Sequence, residues 1–189
     1  MRVRECGNKI NMKILLLRHA SPDWDRTDIP YDIPPGPPLS LKGEMEAEAL
    51  AGFLKAQAVV KLYYSPFERS ARTARVISAL NGIDCIEDKR LSEWRSSDEP
   101  ETRVRERMSS IFERAAQESQ EIGPIGLVSH GGPVALLLQE LGIDPDELAL
   151  HRKLFDGPNP LPPAGAWKAE QVPGEDSWNF KLEFIPKVN

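Results

Sequence analysis

A chain of 189 residues, 40% apolar and 28% charged, reads as soluble and globular and is long enough to bury the core of one domain. Its 24 basic and 29 acidic residues leave a net charge of −5, so no basic face advertises nucleic acid, and any anionic ligand must be drawn by a local cluster of arginines against the overall field. Two distant cysteines, Cys6 and Cys85, argue against a disulfide scaffold or a CxxC zinc site and fit a reducing, cytoplasmic compartment; no apolar run approaches the ~20 residues of a membrane span.

Residues 1–11 carry positive charge without the apolar stretch of a secretory signal, and they read as an extension ahead of a single domain over 12–189. The first strand is expected at Lys13–Leu17, ending on Arg18-His19. A loop stiffened by five prolines, "IPYDIPPGPP" (29–38), precedes a helix from Leu41 to about Ala56. Met45, Ala49, Leu50, Phe53 and Leu54 are expected on its apolar side and Ser40 at its N-cap. The second strand is expected at Lys61–Tyr64. The helix after it should reach Leu80 and close near Gly82, with Ser65, Pro66 and Glu68 matching the N-cap, N1 and N3 positions of a capping box. A third strand at Asp84–Ile86 has Glu93 a little beyond it. The stripe Val104, Met108, Ile111, Phe112 and Ala115 predicts a third helix. A fourth strand, Ile125–Ser129, runs into Ser129-His130-Gly131-Gly132 and a helix from Pro133 to Leu141 that stops at Gly142. After a second proline-rich loop, "DGPNPLPPAG" (156–165), Ala166–Val172 and Ser177–Ile185 read as one or two further strands, antiparallel at an edge.

Short apolar strands alternating with amphipathic helices indicate an α/β fold: a three-layer α/β/α sandwich on a mainly parallel sheet, with an antiparallel edge strand near the C-terminus. In such sheets ligands sit beyond the carboxyl ends of the strands. The residues there are Arg18-His19, the segment Ser65 to Arg69, Glu93, and Ser129 to Gly132. Two of the three histidines are among them; the third, His151 in "ALHRKLF", is assigned a surface or packing role. Arg69 and Arg72 lie in the first turns of a helix, against the macrodipole, at a cost of roughly 0.3–1 kcal/mol when exposed. A salt bridge to Glu68 accounts for that. So does a phosphate dianion held by a helix N-terminus and an arginine fork.

The segments "LLLRHA", "SPFERSARTA", "LSE" and "LVSHGG", in this order and spacing, resemble the histidine phosphatase superfamily, the phosphoglycerate mutase-like group of branch 1; "PLSLKGEMEAEALA" resembles that family's segment between the first motif and the second strand. The likeness covers about Lys13 to Gly142. It implies a phosphomonoesterase that needs neither metal nor cofactor and acts on a small phosphorylated substrate, with no nucleic-acid or membrane partner. His19 would be the nucleophile that becomes phosphohistidine, with Arg18, Arg69 and His130 around the phosphoryl oxygens and the Gly131 N–H as a further donor. Glu93 would be the proton donor, its pKa raised by Trp94 and the bound dianion; Asp98 and Glu99 are nearby substitutes.

Two departures from the family pattern matter. Ala20 stands where the family usually has glycine, and Asp25 where an amide would donate to phosphate, so Asp25 is not assigned to the phosphate. Ser21 has either a hydroxyl role or a turn role. Tyr31, Arg72, Arg95 and Arg152 are candidate contacts for the rest of the substrate, although residues of these types in such places are more often surface groups. The rival activities are a mutase and a non-catalytic protein that binds phosphorylated ligands. Only about 30 residues, mostly one helix, separate Glu93 from the fourth strand. That leaves little material for an enclosing cap and favours water as the acceptor.

Overall fold

The computed structural model describes residues 11–157, 159–171, 175 and 177–187. Cys6 and residues 1–10 of the expected extension lie outside them, as does Val172 at the end of one expected strand.

Six strands form one sheet: β1 (Lys13–Arg18), β2 (Lys61–Tyr64), β3 (Asp84–Glu87), β4 (Ile125–Ser129), β5 (Ala166–Gln171) and β6 (Trp178–Phe184), in the spatial order β3-β2-β4-β1-β5-β6. The first four pair in parallel, whereas β5 runs antiparallel to β1 and β6 antiparallel to β5. Five α-helices are described: α1 (Leu41–Ala56), α2 (Glu68–Asn81), α3 (Glu101–Ile122), α4 (Gly131–Glu140) and α5 (Pro145–Leu154). The chain is therefore the α/β sandwich expected from the sequence, with its antiparallel strands at the C-terminal edge.

The unbroken apolar run of β1 follows from burial on both faces. Ile14 and Leu16 point into a core shared with α3, α4 and α5, through residues such as Met108, Phe112, Leu137 and Leu148. Leu15 and Leu17 point the other way, into a core with Leu50, Leu54, Ala74 and Ile77 of α1 and α2. All four β1 side chains are fully buried, each worth roughly 1.5–3 kcal/mol. The sheet is thus covered on both faces, and its strand ends are what meet the loops.

Some local expectations need correction. Met45 is 52% exposed instead of facing the core; Ala47 and Ala51 take that face of α1. Helix α2 starts at Glu68 with Phe67 as N-cap, and no side chain caps it. Ser65 is drawn away from the predicted cap because its Oγ lies 2.8 Å from His130 Nε2. Helix α4 begins at Gly131, two residues earlier than expected. Helix α5 has no counterpart in the periodicity, since Leu148 is its one buried residue. Ser40 does cap α1, its side chain accepting from the Gly43 N–H.

Candidate active site

The carboxyl ends of β1, β2 and β4 deliver the groups that meet. His19 follows β1 directly and is held by its backbone on both sides: its N–H donates to Ser129 O and its carbonyl accepts from the Ala164 N–H. The next residues are anchored too. Ala20 N–H donates to Thr73 Oγ1 at 3.1 Å. Ser21 commits both its N–H and its hydroxyl to the buried Glu46, at 2.7 and 3.0 Å, which ties the turn after β1 to α1. Helix α1 presses close behind, for a Cβ on Gly43 would lie 2.1 Å from Ser21 O. The imidazole is thus fixed by two helices and two strands.

Its tautomer is fixed as well. His19 Nδ1 lies 2.8 Å from Ala20 O, a pure acceptor, so Nδ1 carries the proton and Nε2 presents the lone pair. Burial, Arg69, His130 and Arg18 hold the pKa of His19 well below that of a free imidazole, with the Ala20 hydrogen bond opposing them. The ring is neutral at pH 7, as a nucleophile requires.

Arg69 is the hub. Fully buried in the first turn of α2, it donates from Nε to His19 Nε2 at 3.1 Å and from Nη1 to Tyr31 O at 2.9 Å. Its Nη2 lies 3.1 Å from Glu93 Oε2 and 3.2 Å from His130 Nδ1. Its guanidinium packs under the Tyr31 ring at 4.0 Å, and Tyr31 stacks on the exposed Trp24. The Tyr31 hydroxyl is 3.5 Å from His19 Nε2. Gly36 makes room for this: its φ of +70° suits glycine, and a Cβ there would come within 2.7 Å of Arg69 Nη1.

The rings of His19 and His130 stand edge to face, 5.1 Å apart. Burial lowers the His130 pKa, Glu93 opposes this, and Arg69 and Arg107 add to it. Glu93 Oε2 is 3.3 Å from His130 Nδ1, and Oε1 accepts from the Trp94 N–H at 3.0 Å. Burial alone would raise the Glu93 pKa, the expected direction. His130, Arg69 and the Trp94 N–H outweigh it and bring the carboxyl down to about 2. In the ligand-free state, then, Glu93 is ionised, whereas the raised pKa that the resemblance implies is expected with a phosphate dianion bound. His19, Glu93 and His130 also present ligand atoms within 4.8 Å of one another, a cluster invisible in the linear spacing. The cation that these three groups share is Arg69.

The remaining candidates divide. Arg18 is buried beside His19, but its Nη1 and Nη2 grip Asp156 at 2.7 and 2.8 Å, and Nη1 also donates to Leu161 O. Its Nε is buried without a partner. Gly131 opens α4 beneath Asn159, whose Oδ1 lies 1.7 Å from where a Gly131 Cβ would stand. Asp98 is exposed and paired with Arg95, and Glu99 is gripped by Arg107, so neither substitutes for Glu93. Asp25 is exposed, and Arg72 pairs with Glu44. Arg152 lies on α5, and His151 packs on the edge of Trp167 at 4.8 Å. A cleft of about 240 Å³, lined by Asp32, Pro34, Phe67, Ser92 and Arg95 among others, opens beside Glu93. Sequence reasoning missed Asp156 and Arg107. The first sits in a proline-rich turn where an aspartate is unremarkable, and the second on a helix crowded with arginines.

Comparison with known proteins bears on the fold and on the first half of the chain. The profile of the histidine phosphatase superfamily (branch 1) matches residues 14–98. No curated protein matches the chain significantly. Among solved structures, a mycobacterial glucosyl-3-phosphoglycerate phosphatase is 20% identical, with 91% of this chain and 97% of that one covered and a TM-score of 0.67. YhfR of Bacillus stearothermophilus is 19% identical, with 90% and 96% covered and a TM-score of 0.71. A protein of Agrobacterium tumefaciens described as the phosphohistidine phosphatase SixA is 21% identical, with 94% and 99% covered and a TM-score of 0.63. None of the described helices is long and apolar enough to cross a membrane.

Proposed function

We propose that the chain, whose residues 14–98 match the histidine phosphatase superfamily (branch 1), is a metal-independent phosphatase of that superfamily in the cytoplasm, hydrolysing phosphate monoesters of small molecules through a phosphohistidine at His19. One observation carries the reading: a single buried guanidinium, that of Arg69, reaches a neutral imidazole lone pair, a second imidazole and a carboxylate.

The ester's phosphoryl group enters against Arg69, whose Nε–H turns from the His19 ring to a phosphoryl oxygen and releases the Nε2 lone pair. Nε2 attacks phosphorus in line with the ester oxygen. The N–P bond forms, the P–O bond breaks, and the leaving oxygen takes a proton from Glu93. Arg18 contributes the Nε–H that has no partner in the free protein. Arg69, His130 and the head of α4 at Gly131 complete the stabilisation of the transferring charge. A dianion in the pocket engages Arg69 and His130 and sets a like charge beside Glu93, which raises the carboxyl pKa and lets it carry the proton. In the second half Glu93 takes a proton from water, the water oxygen attacks phosphorus, and His19 and inorganic phosphate are released. The stretch from Glu93 to β4 is largely α3, packed on the sheet, so water reaches the phosphohistidine more readily than a retained alcohol would.

The test is turnover of p-nitrophenyl phosphate in the presence of a chelator, with acid-labile labelling by phosphorylated substrate that His19→Ala abolishes. Absence of turnover across a wide pH range and several esters, or strict dependence on an added metal ion, overturns the reading.

A further inference from the structure

Glu93 lies on a stretch without regular structure, between a 3₁₀ turn (Lys89–Leu91) and the start of α3 at Glu101. Part-buried peptide carbonyls in such a stretch need donors that no strand or helix supplies. One side chain serves three of them. Arg107, on the second turn of α3 and 13% exposed, places Nη1 2.6 Å from Arg90 O and 2.9 Å from Ser92 O, and Nη2 3.4 Å from Glu93 O. The edge formed by its Nε and Nη2 holds the Glu99 carboxylate at 2.8 and 2.9 Å. All five guanidinium N–H donors are therefore used, and every acceptor lies between residues 90 and 99. Two further bonds close the frame: Ser129 Oγ donates to Leu91 O at 2.8 Å, and Trp94 Nε1 donates to Glu99 O at 3.0 Å.

We propose that Arg107 is a positioning residue for catalysis: by binding the carbonyls of Arg90, Ser92 and Glu93 itself and the Glu99 carboxylate at the far end of the loop, it sets the Glu93 carboxylate at the distance from Arg69 and His130 that proton transfer requires. The inference rests on the reading of Glu93 as the proton donor. A guanidinium is required rather than an ammonium, because three carbonyls and a bidentate carboxylate lie around one planar fork that a lysine cannot span. Arg107 does not touch the substrate. It acts through the loop, and its charge is balanced by Glu99, so its loss affects the geometry of Glu93 more than the field in the pocket.

The experiment compares kcat for two phosphate monoesters, one with a good leaving group (p-nitrophenyl phosphate) and one with a poor leaving group (an alkyl phosphate), in the wild type, Glu93→Gln, Arg107→Lys, Arg107→Met and Glu99→Gln. Misplacement of a catalytic group by about 1 Å costs up to about a hundredfold. Arg107→Met is therefore expected to slow the alkyl ester at least tenfold more than the nitrophenyl ester, with Arg107→Lys and Glu99→Gln showing the same bias in weaker form. In the Glu93→Gln background, Arg107→Met should add no further bias. Far-UV circular dichroism and thermal melting identify a variant that does not fold; Glu99→Gln, which loosens the fork while leaving Arg107 in place, then decides the matter. Equal slowing of both esters by the folded Arg107 and Glu99 variants, alongside a biased Glu93→Gln, overturns the role of Arg107. A Glu93→Gln variant without bias overturns instead the assignment of the acid.

Discussion

The Nε2 lone pair of His19 is not idle in the free protein: it accepts from Arg69 Nε, under a tyrosine hydroxyl, in a pocket where neither imidazole nor the guanidinium meets solvent. A cation that donates to a ring nitrogen also opposes protonation of that nitrogen, so one contact both orients the His19 ring and keeps it neutral. Histidine proton resonances followed through a pH titration of the free protein should therefore show His19 titrating well below the ordinary imidazole value near 6.5. Arg69→Met removes one of the lowering influences, and the His19 titration should move up towards the ordinary value while phosphatase activity falls by about a hundredfold or more, the scale for losing a major charge-stabilising donor. An unchanged His19 titration in that variant would mean that burial alone sets its charge.

The loop between β1 and α1 shapes this pocket without supplying a strand or helix to it. Tyr31 covers Arg69, Gly36 lets the chain pass the guanidinium, and Pro35 O accepts from the N–H of Glu68 at the head of α2. Gly36→Ala forces a Cβ into a left-handed backbone position, at a cost of roughly 1–2 kcal/mol, and drives it against Arg69 Nη1. The expected result is a lower midpoint in urea together with a loss of phosphatase activity larger than the stability change explains; Gly82→Ala, also left-handed but in open space, should lower the midpoint alone. At this scale the elements legible in the sequence are those whose side chains alternate or repeat against a core: the four parallel strands, α1 and the α3 stripe of Val104, Met108, Ile111, Phe112 and Ala115. Helix α5 is illegible by periodicity because it buries only Leu148, although Asp144 before Pro145 carries a local start signal. The capping box at Ser65 fails for a different reason: a tertiary partner, His130, competes for the hydroxyl. Arg18, Arg69, Glu93 and His130 are legible because their motifs end strands. Asp156 and Arg107 are not, since what makes them matter is a partner more than ten residues away.

Taken as a whole, the molecule is acidic yet buries two arginines and two histidines at the ends of its central strands. Pairing settles the arginines: Arg18 meets Asp156 and Arg69 meets Glu93. The histidines are kept neutral instead, and that ties global stability to pH. Both have folded-state pKa values below the unfolded value near 6.5, so between those values the unfolded chain binds more protons than the folded one. Their stabilising contribution is complete above about pH 6.5 and is lost as the pH falls, with a slope of about 1.4 kcal/mol per pH unit for each histidine within that window. Glu93, held below its ordinary value in the folded state, works in the same direction at lower pH: its contribution is present above about 4.5 and lost as the pH falls towards 2. Urea unfolding of the free protein should therefore show stability level from pH 8 to 7 and declining steadily from 6.5 to 5, ahead of any carboxylate titration. His130→Gln, which keeps a neutral polar group beside Ser65, should lower stability at pH 7.5 but reduce the decline below pH 6.5, because one of two titrating rings is gone. A wild type whose stability is the same at pH 7 and pH 5.5, or a variant with an undiminished decline, would mean that the two imidazoles are not held neutral in the folded protein.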